Sequence, residues 1–199
     1  MMVWVWLAAG ALAAALSALA TSAARVAAFR LNMLDVPSRH KLHARPTPLL
    51  GGSAILAAVL VPSVLVLALA SIWASAGVPA WLHLPESVAV HVPGAAAKAP
   101  QALGILLGAL LLHAMGLVDD RRGLGPWPKL AAELAVAAGV VLLCGVRVLT
   151  VAGEPWSTIV SVVWLVAVIN AFNFLDNMDG LSAGVALICG AALLAAAAN

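Results

Sequence analysis

The sequence predicts an all-α fold, a polytopic membrane helix bundle with six transmembrane helices. Three observations predict it. Apolar residues make up 64% of the chain and charged residues 9%, with a mean hydropathy of +1.10. Water-soluble domains are about 45–50% apolar and about 25% charged. The apolar residues also recur in continuous runs of about the 17–25 residues that a bilayer helix needs. Finally, they do not alternate with polar residues, which excludes a transmembrane β-barrel. The same composition excludes disorder, which needs low hydrophobicity and high charge. A net charge of +2 is too small to suggest a nucleic-acid partner.

The spans are read over 3–24, 51–73, 102–118, 130–148, 158–175 and 181–198. The first is a span and not a signal peptide, because its first basic residue, Arg25, follows the apolar run. Residues 74–101 hold Pro79, Pro85, Pro93 and Pro100 and read as an irregular outer linker with a short interfacial helix. Gly104 and Gly108 form a GxxxG pair in the third span, and Gly180 and Gly184 another at the start of the sixth. Close helix packing is the expected reason for both. Cys144 and Cys189 lie inside apolar runs and read as small hydrophobes.

Basic residues mark the cytoplasmic side. Arg25, Arg30, Arg39, Lys41 and Arg45 lie between spans one and two, and Arg121, Arg122 and Lys129 between spans three and four. The alternate loops hold only Lys98 and Arg147. The N-terminus is therefore expected outside, and the loops after spans one, three and five inside. Trp4, Trp6, Trp73 and Trp156 fall near the outer interface, where indole rings prefer to sit.

Six of the eight acidic residues fall in or beside the inner loops: Asp35, Asp119, Asp120, Glu133, Asp176 and Asp179. Acids gathered on one side next to a basic loop suit an anionic ligand held through a metal. Asp119 and Asp120 follow a third span of only 17 residues, about 25 Å long. That is short of the roughly 30 Å hydrocarbon core, so the pair is expected at the membrane edge. Adjacent carboxylates repel unless a cation lies between them, and hard oxygen donors suit Mg²⁺. The alternative is a topology-setting loop in which Arg121 and Arg122 pair with the acids.

Asn170, Asn173, Asp176 and Asp179 recur every three residues and form one polar stripe at a helix end. Amides and carboxylates so arranged can read a nucleotide and hold a metal, and interhelix hydrogen bonding is the alternative. Gly180 permits a turn before the sixth span. A third element runs from Asp35 through Arg39, His40, Lys41 and His43 to Arg45-Pro-Thr-Pro-Leu-Leu-Gly-Gly52. It is either a stiffened positive-inside loop or a set of phosphate contacts. A zinc pair at His40 and His43 lacks further ligands.

Together these elements resemble the polyprenyl-phosphate N-acetylhexosamine-1-phosphate transferases of glycosyltransferase family 4, which include bacterial translocase I. The family motifs DxPxxRKxHxxPTPxxGG, GxxDDxxxLxxxxK and NxxNxxDGxDGL occur here in order between Asp35 and Leu181. His40 stands where the family has Arg, and Asn177 where it has Gly. The chain looks closer to the undecaprenyl-phosphate N-acetylglucosamine-1-phosphate branch than to the muramoyl-pentapeptide branch. The resemblance implies that a polyprenyl phosphate attacks the β-phosphorus of a UDP-N-acetylhexosamine and releases UMP. This would be the first membrane step of cell-envelope polysaccharide synthesis.

The resemblance further implies Asp119, Asp120 and Asp176 as catalytic residues. Asp120 and Asp176 would hold Mg²⁺, for which Mn²⁺ can substitute. Lys41, His43, Lys129, Asn173 and Asp179 would bind substrate. The implied partners are the lipid, the nucleotide sugar and the membrane, with a homodimer left open. The implied location is a bacterial inner membrane with the active site cytoplasmic. The family is longer than these 199 residues, and its later loops add an aspartate and a His-rich motif that nothing after Leu181 matches. The chain is thus expected to be one integral membrane domain, 1–199, the N-terminal portion of a longer transferase and inactive alone.

Rival readings fit less well. Gly184 stands where the CDP-alcohol phosphotransferase pattern needs Arg. A transporter would place its polar residues near the bilayer midplane. Glu133, four residues from Lys129, reads instead as half of an interfacial ion pair. An inactive fragment of the same fold is the remaining alternative.

Overall fold

Residues 2–30 contain no proline and one glycine, Gly10, and they form one continuous helix, α1 (Met2–Arg30). The computed structural model describes residues 2–35, 46–176 and 180–197. Past α1 the chain reverses at Asn32, whose φ of 53° is left-handed, a conformation that asparagine tolerates. Strand β1 (Leu34–Asp35) then pairs antiparallel with β2 (Thr47–Pro48), with Leu34 opposite Pro48 and Asp35 opposite Thr47. This short ribbon fastens both ends of the first motif. Lys41, His43 and His40 lie outside the described residues.

Helix α2 (Gly51–Ala76) follows directly, with Pro62 inside it. Pro62 is a break that membrane helices tolerate where neighbours re-satisfy the freed carbonyl. A four-residue helix, α3 (Glu86–Ala89), precedes α4 (Val92–Arg122). The expected irregular linker is therefore helical from Val92 onward. Pro93 sits in the first turn, where a missing N–H costs nothing, and the alanines after it are strong helix formers. Pro93 punctuates a helix start, and Pro100 lies inside the helix. The depth argument changes with it. At 31 residues α4 is about 46 Å long, so a short span does not fix the depth of Asp119 and Asp120. Both carboxylates belong to the last turns of this helix, which Gly123 ends with a φ of 63° and an N–H bonded to Asp119 O at 2.7 Å.

Helix α5 (Pro126–Cys144) begins and ends four residues before the expected span. Pro126 opens its first turn, and Gly145, with a φ of 66°, closes it. A one-turn 3-10 helix (Thr150–Ala152) leads to α6 (Trp156–Leu175). Gly180, with a φ of 76°, turns the chain into α7 (Leu181–Ala197). Five of these helices are long and apolar enough to cross a membrane. The sixth predicted span, α7, has 17 residues, about 25 Å, and falls short of the others.

The long helices pack mainly as sequential neighbours, α1 on α2, α2 on α4, α4 on α5 and α5 on α6. Their outer faces carry exposed Leu, Ile and Val throughout, as lipid-facing helices do. This is a multi-pass membrane protein. The first GxxxG is a packing seam. A Cβ on Gly104 would overlap Cys144 Sγ, and one on Gly108 would lie 2.9 Å from Val140 Cγ2 and 3.3 Å from Val136 Cγ1. At Gly184 a Cβ would meet nothing within 4 Å, so the second pair is not such a seam among the described residues.

Two outcomes follow. Gly108→Ala should destabilise the protein by about 1–3 kcal/mol, because the facing valines are rotamer-locked in a helix and cannot yield. Gly104→Ala should be restored by Cys144→Ala, which removes the clashing sulfur. Thermal unfolding in detergent reads both. Ala97 and Arg122 are 25 residues apart on α4, about 38 Å, more than the roughly 30 Å hydrocarbon core. Cysteines placed there should react with an impermeant thiol reagent from opposite sides of the membrane. Labelling of both from one side would contradict α4 as a span.

Candidate active site

An apolar cluster brings the first motif to the end of α4. Ala28, Met33 and Leu50 bury one another, with Leu117 of α4 packed against them. Arg121 adds a donor contact to Met33 Sδ at 3.5 Å. The β2 strand and the start of α2 are thereby held against the α4 turn that carries the acidic pair. A cavity of about 1010 Å³ opens between them, walled also by α5, α6 and the first residues of α7.

Asp119 and Asp120 line this cavity from α4, Lys129 and Glu133 from α5, Asn173 from α6, Asp176 from the C-cap of α6, and Ser182 from α7. Five residues singled out in the sequence, Asp119, Asp120, Lys129, Asn173 and Asp176, are therefore on one surface. The other three, Lys41, His43 and Asp179, lie outside the described residues, although Thr47, Pro48, Gly51 and Gly52 of the first motif reach the cavity wall. Ile55, Leu112, Ile169 and Phe172 form an apolar part of the wall.

The ionic pairing differs from the expected one. Lys129 does not pair with Glu133 along α5. Its Nζ donates to Asp119 Oδ2 at 2.7 Å, across to α4. The Asp119 carboxylate is thus held by Lys129 and not by an arginine of its own helix. Glu133 is 3% exposed and accepts a hydrogen bond from Asn170 Nδ2 at 2.5 Å, across to α6. Asn170 also donates to Val166 O at 3.0 Å. So the first member of the polar stripe makes an interhelix bond, and the next two turn into the cavity.

One further polar pair was not singled out in the sequence. His113 of α4, on the cavity wall, shares a 2.9 Å hydrogen bond with Ser53 of α2 through Nε2. It lies seven residues before Asp120, two turns along the same helix face. That spacing from the acidic pair was the one available signal.

The donor set bears on which metal could be held. Among the described residues, no group of three His, Cys, Asp or Glu side chains is placed to hold a metal ion. A closed zinc site needs four protein ligands. Mg²⁺ is usually held by one or two carboxylates, with water and substrate phosphates completing its shell. Carboxylates from two helices facing one open cavity fit the second pattern.

Residues 102–199 match the sequence profile of glycosyl transferase family 4. A decaprenyl-phosphate N-acetylglucosaminephosphotransferase of Mycolicibacterium smegmatis is 31% identical in an alignment covering 92% of this chain and 43% of that protein. Its namesake in Mycobacterium leprae is likewise 31% identical, over 92% of this chain and 44% of its own length. A phospho-N-acetylmuramoyl-pentapeptide-transferase of Lactobacillus delbrueckii subsp. bulgaricus is 38% identical over 42% of this chain and 32% of its own. The chain spans less than half the length of these curated relatives. No solved structure matches it significantly. The profile match begins ten residues into α4 and takes in the acidic pair, Lys129 and the Asn170–Asp176 stripe, so the polar wall of the cavity falls within it, and the chain belongs to glycosyl transferase family 4.

Proposed function

We propose that the cavity serves the transfer of N-acetylglucosamine-1-phosphate from UDP-N-acetylglucosamine to a polyprenyl phosphate, with release of UMP. The observation that carries this reading is the convergence of carboxylates from α4 and α6 on one cavity with a polar and an apolar wall. The relatives' names support the acceptor lipid and the sugar. The apolar wall suits an isoprenoid chain, and the polar end suits phosphates.

In the reaction, an oxygen of the lipid phosphate forms a bond to the β-phosphorus of the donor. The bond from that phosphorus to the bridging oxygen breaks, and the oxygen leaves on UMP. A phosphate monoester has a second pKa of about 6, so the nucleophile is largely ionised at neutral pH and needs no strong base. The barrier is instead the meeting of several negative groups. Mg²⁺, held through Asp120 and Asp176, would neutralise and align the phosphates.

Among the described residues that line the cavity, Lys129 is the one lysine or arginine. Its pair with Asp119 lies on the cavity wall, mostly shielded from solvent. A donor phosphate entering the cavity offers Lys129 a replacement anion, so the exchange need not leave the ammonium unpaired. Asp119 is then free to orient the lipid phosphate or accept its residual proton. Asn173 would contact the nucleotide, with Lys41, His43 and Asp179 completing the substrate contacts. The basic asymmetry of the loops supports a cytoplasmic site in a bacterial inner membrane.

The test uses membranes carrying the full-length protein, with undecaprenyl phosphate, Mg²⁺ or Mn²⁺, and labelled UDP-sugars. UDP-N-acetylglucosamine is expected to label lipid in step with UMP release, and EDTA to stop it. Transfer to lipid without UMP, or none above control membranes, would overturn the reading.

A further inference from the structure

Helix α5 presents two polar side chains one turn apart to the cavity, and each crosses to a different neighbour. Lys129 holds Asp119 of α4, and Glu133 holds Asn170 of α6. Asn170 precedes Asn173 by one turn on α6 and precedes Asp176, the C-cap of that helix, by six residues. The two acid-bearing walls are therefore referenced to a single helix. A carboxyl group that is 3% exposed is costly unless bonded, so its short bond to Asn170 fixes it strongly. The i,i+4 partner, Lys129, is engaged elsewhere.

We propose that Glu133 is a positioning residue. Its bond to Asn170 sets the rotation of α6 about its axis, and so presents Asn173 and Asp176 to the carboxylates of α4. This rests on the transferase reading for its kinetic consequence and on geometry alone for its structural one. Glu133 touches neither substrate nor reacting atoms in this account. Glu133→Gln keeps a carbonyl acceptor for Asn170 Nδ2, whereas Glu133→Ala removes it and leaves the amide unpaired.

The experiment has two readouts on the full-length protein in nanodiscs. The first is the distance between spin labels at the exposed positions Val118 of α4 and Phe174 of α6, with the native cysteines replaced. The wild type and Glu133→Gln should give one narrow distribution. Glu133→Ala and Asn170→Ala should give a shifted or broadened one. The second is turnover. Partners one shell removed from a ligand are worth about 10–100-fold, so Glu133→Ala should lose about tenfold or more in kcat/KM, with Glu133→Gln restored to within about threefold of wild type. A double variant, Glu133→Ala with Asn170→Ala, should be no worse than either alone.

Unchanged distances in Glu133→Ala would overturn the proposal, as would equal losses in the Ala and Gln variants. If the wild type transfers no sugar phosphate, the functional reading fails, and the distance measurement still decides whether Glu133 positions α6.

Discussion

Asp120→Asn and Asp176→Asn should each lower transfer by about a hundredfold or more while leaving the protein inserted and folded. The two carboxylates come from the last turns of α4 and the C-cap of α6, which are not sequence neighbours, and both face one cavity. Asparagine keeps the size and one oxygen of each side chain but removes its charge. A Mg²⁺ already holding several waters would then bind far more weakly. The losses should be partly recovered at high Mg²⁺, and the concentration needed for half-maximal rate should rise in both variants. Steady-state rates across a Mg²⁺ series, normalised to inserted protein, make the check. Wild-type Mg²⁺ dependence in both would remove these residues from the metal site.

Asp119→Asn and Lys129→Ala should separate, although the two side chains touch. If Lys129 leaves Asp119 for a donor phosphate, Lys129→Ala weakens ground-state binding. It should raise KM for the UDP-sugar by about tenfold, with a smaller change in kcat. On the proposed reading Asp119 would face the lipid phosphate, so in Asp119→Asn kcat should fall by about a hundredfold and KM for the UDP-sugar should stay near wild type. An ion pair that merely braces α4 against α5 predicts a different result. The two variants would then lower thermal stability together and change kcat and KM in parallel. Initial rates over a matrix of donor and acceptor concentrations distinguish these outcomes.

The spans were legible because apolar runs and their breaks are local signals. Span two was placed at its first residue, Gly51, and span five at its last, Leu175. The errors also have local causes. The apolar runs leave Pro93 and Pro126 outside the expected spans, but proline in a first helical turn lacks only an N–H that has no helical partner. Both helices consequently start earlier than their apolar cores.

The candidate site was legible where chemistry repeats along one helix. The three-residue spacing of Asn170, Asn173 and Asp176 placed them on one face, and two of them line the cavity. What crosses between helices was not legible. Lys129 and Glu133 satisfy the i,i+4 rule and suggested a pair with each other. Which neighbour each one meets depends on the rotation of α4 and α6 about their axes, and no intrahelical spacing encodes that. The Ser53–His113 bond is hidden for the same reason, since one polar residue in an apolar helix has no period. Gly108 shows the converse case. The small-residue spacing predicted a close approach, and the packing of α5 supplies it.

The central claim is attack at the β-phosphorus of the donor. It is tested most directly by following that atom. UDP-N-acetylglucosamine labelled at the β-phosphorus is incubated with undecaprenyl phosphate, Mg²⁺ and membranes carrying the full-length protein. Donor labelled at the α-phosphorus is run in parallel. The account predicts that the β-label moves into the lipid with the sugar and that the α-label stays wholly in UMP. Release of both labels as UDP, with only the sugar reaching the lipid, would contradict it.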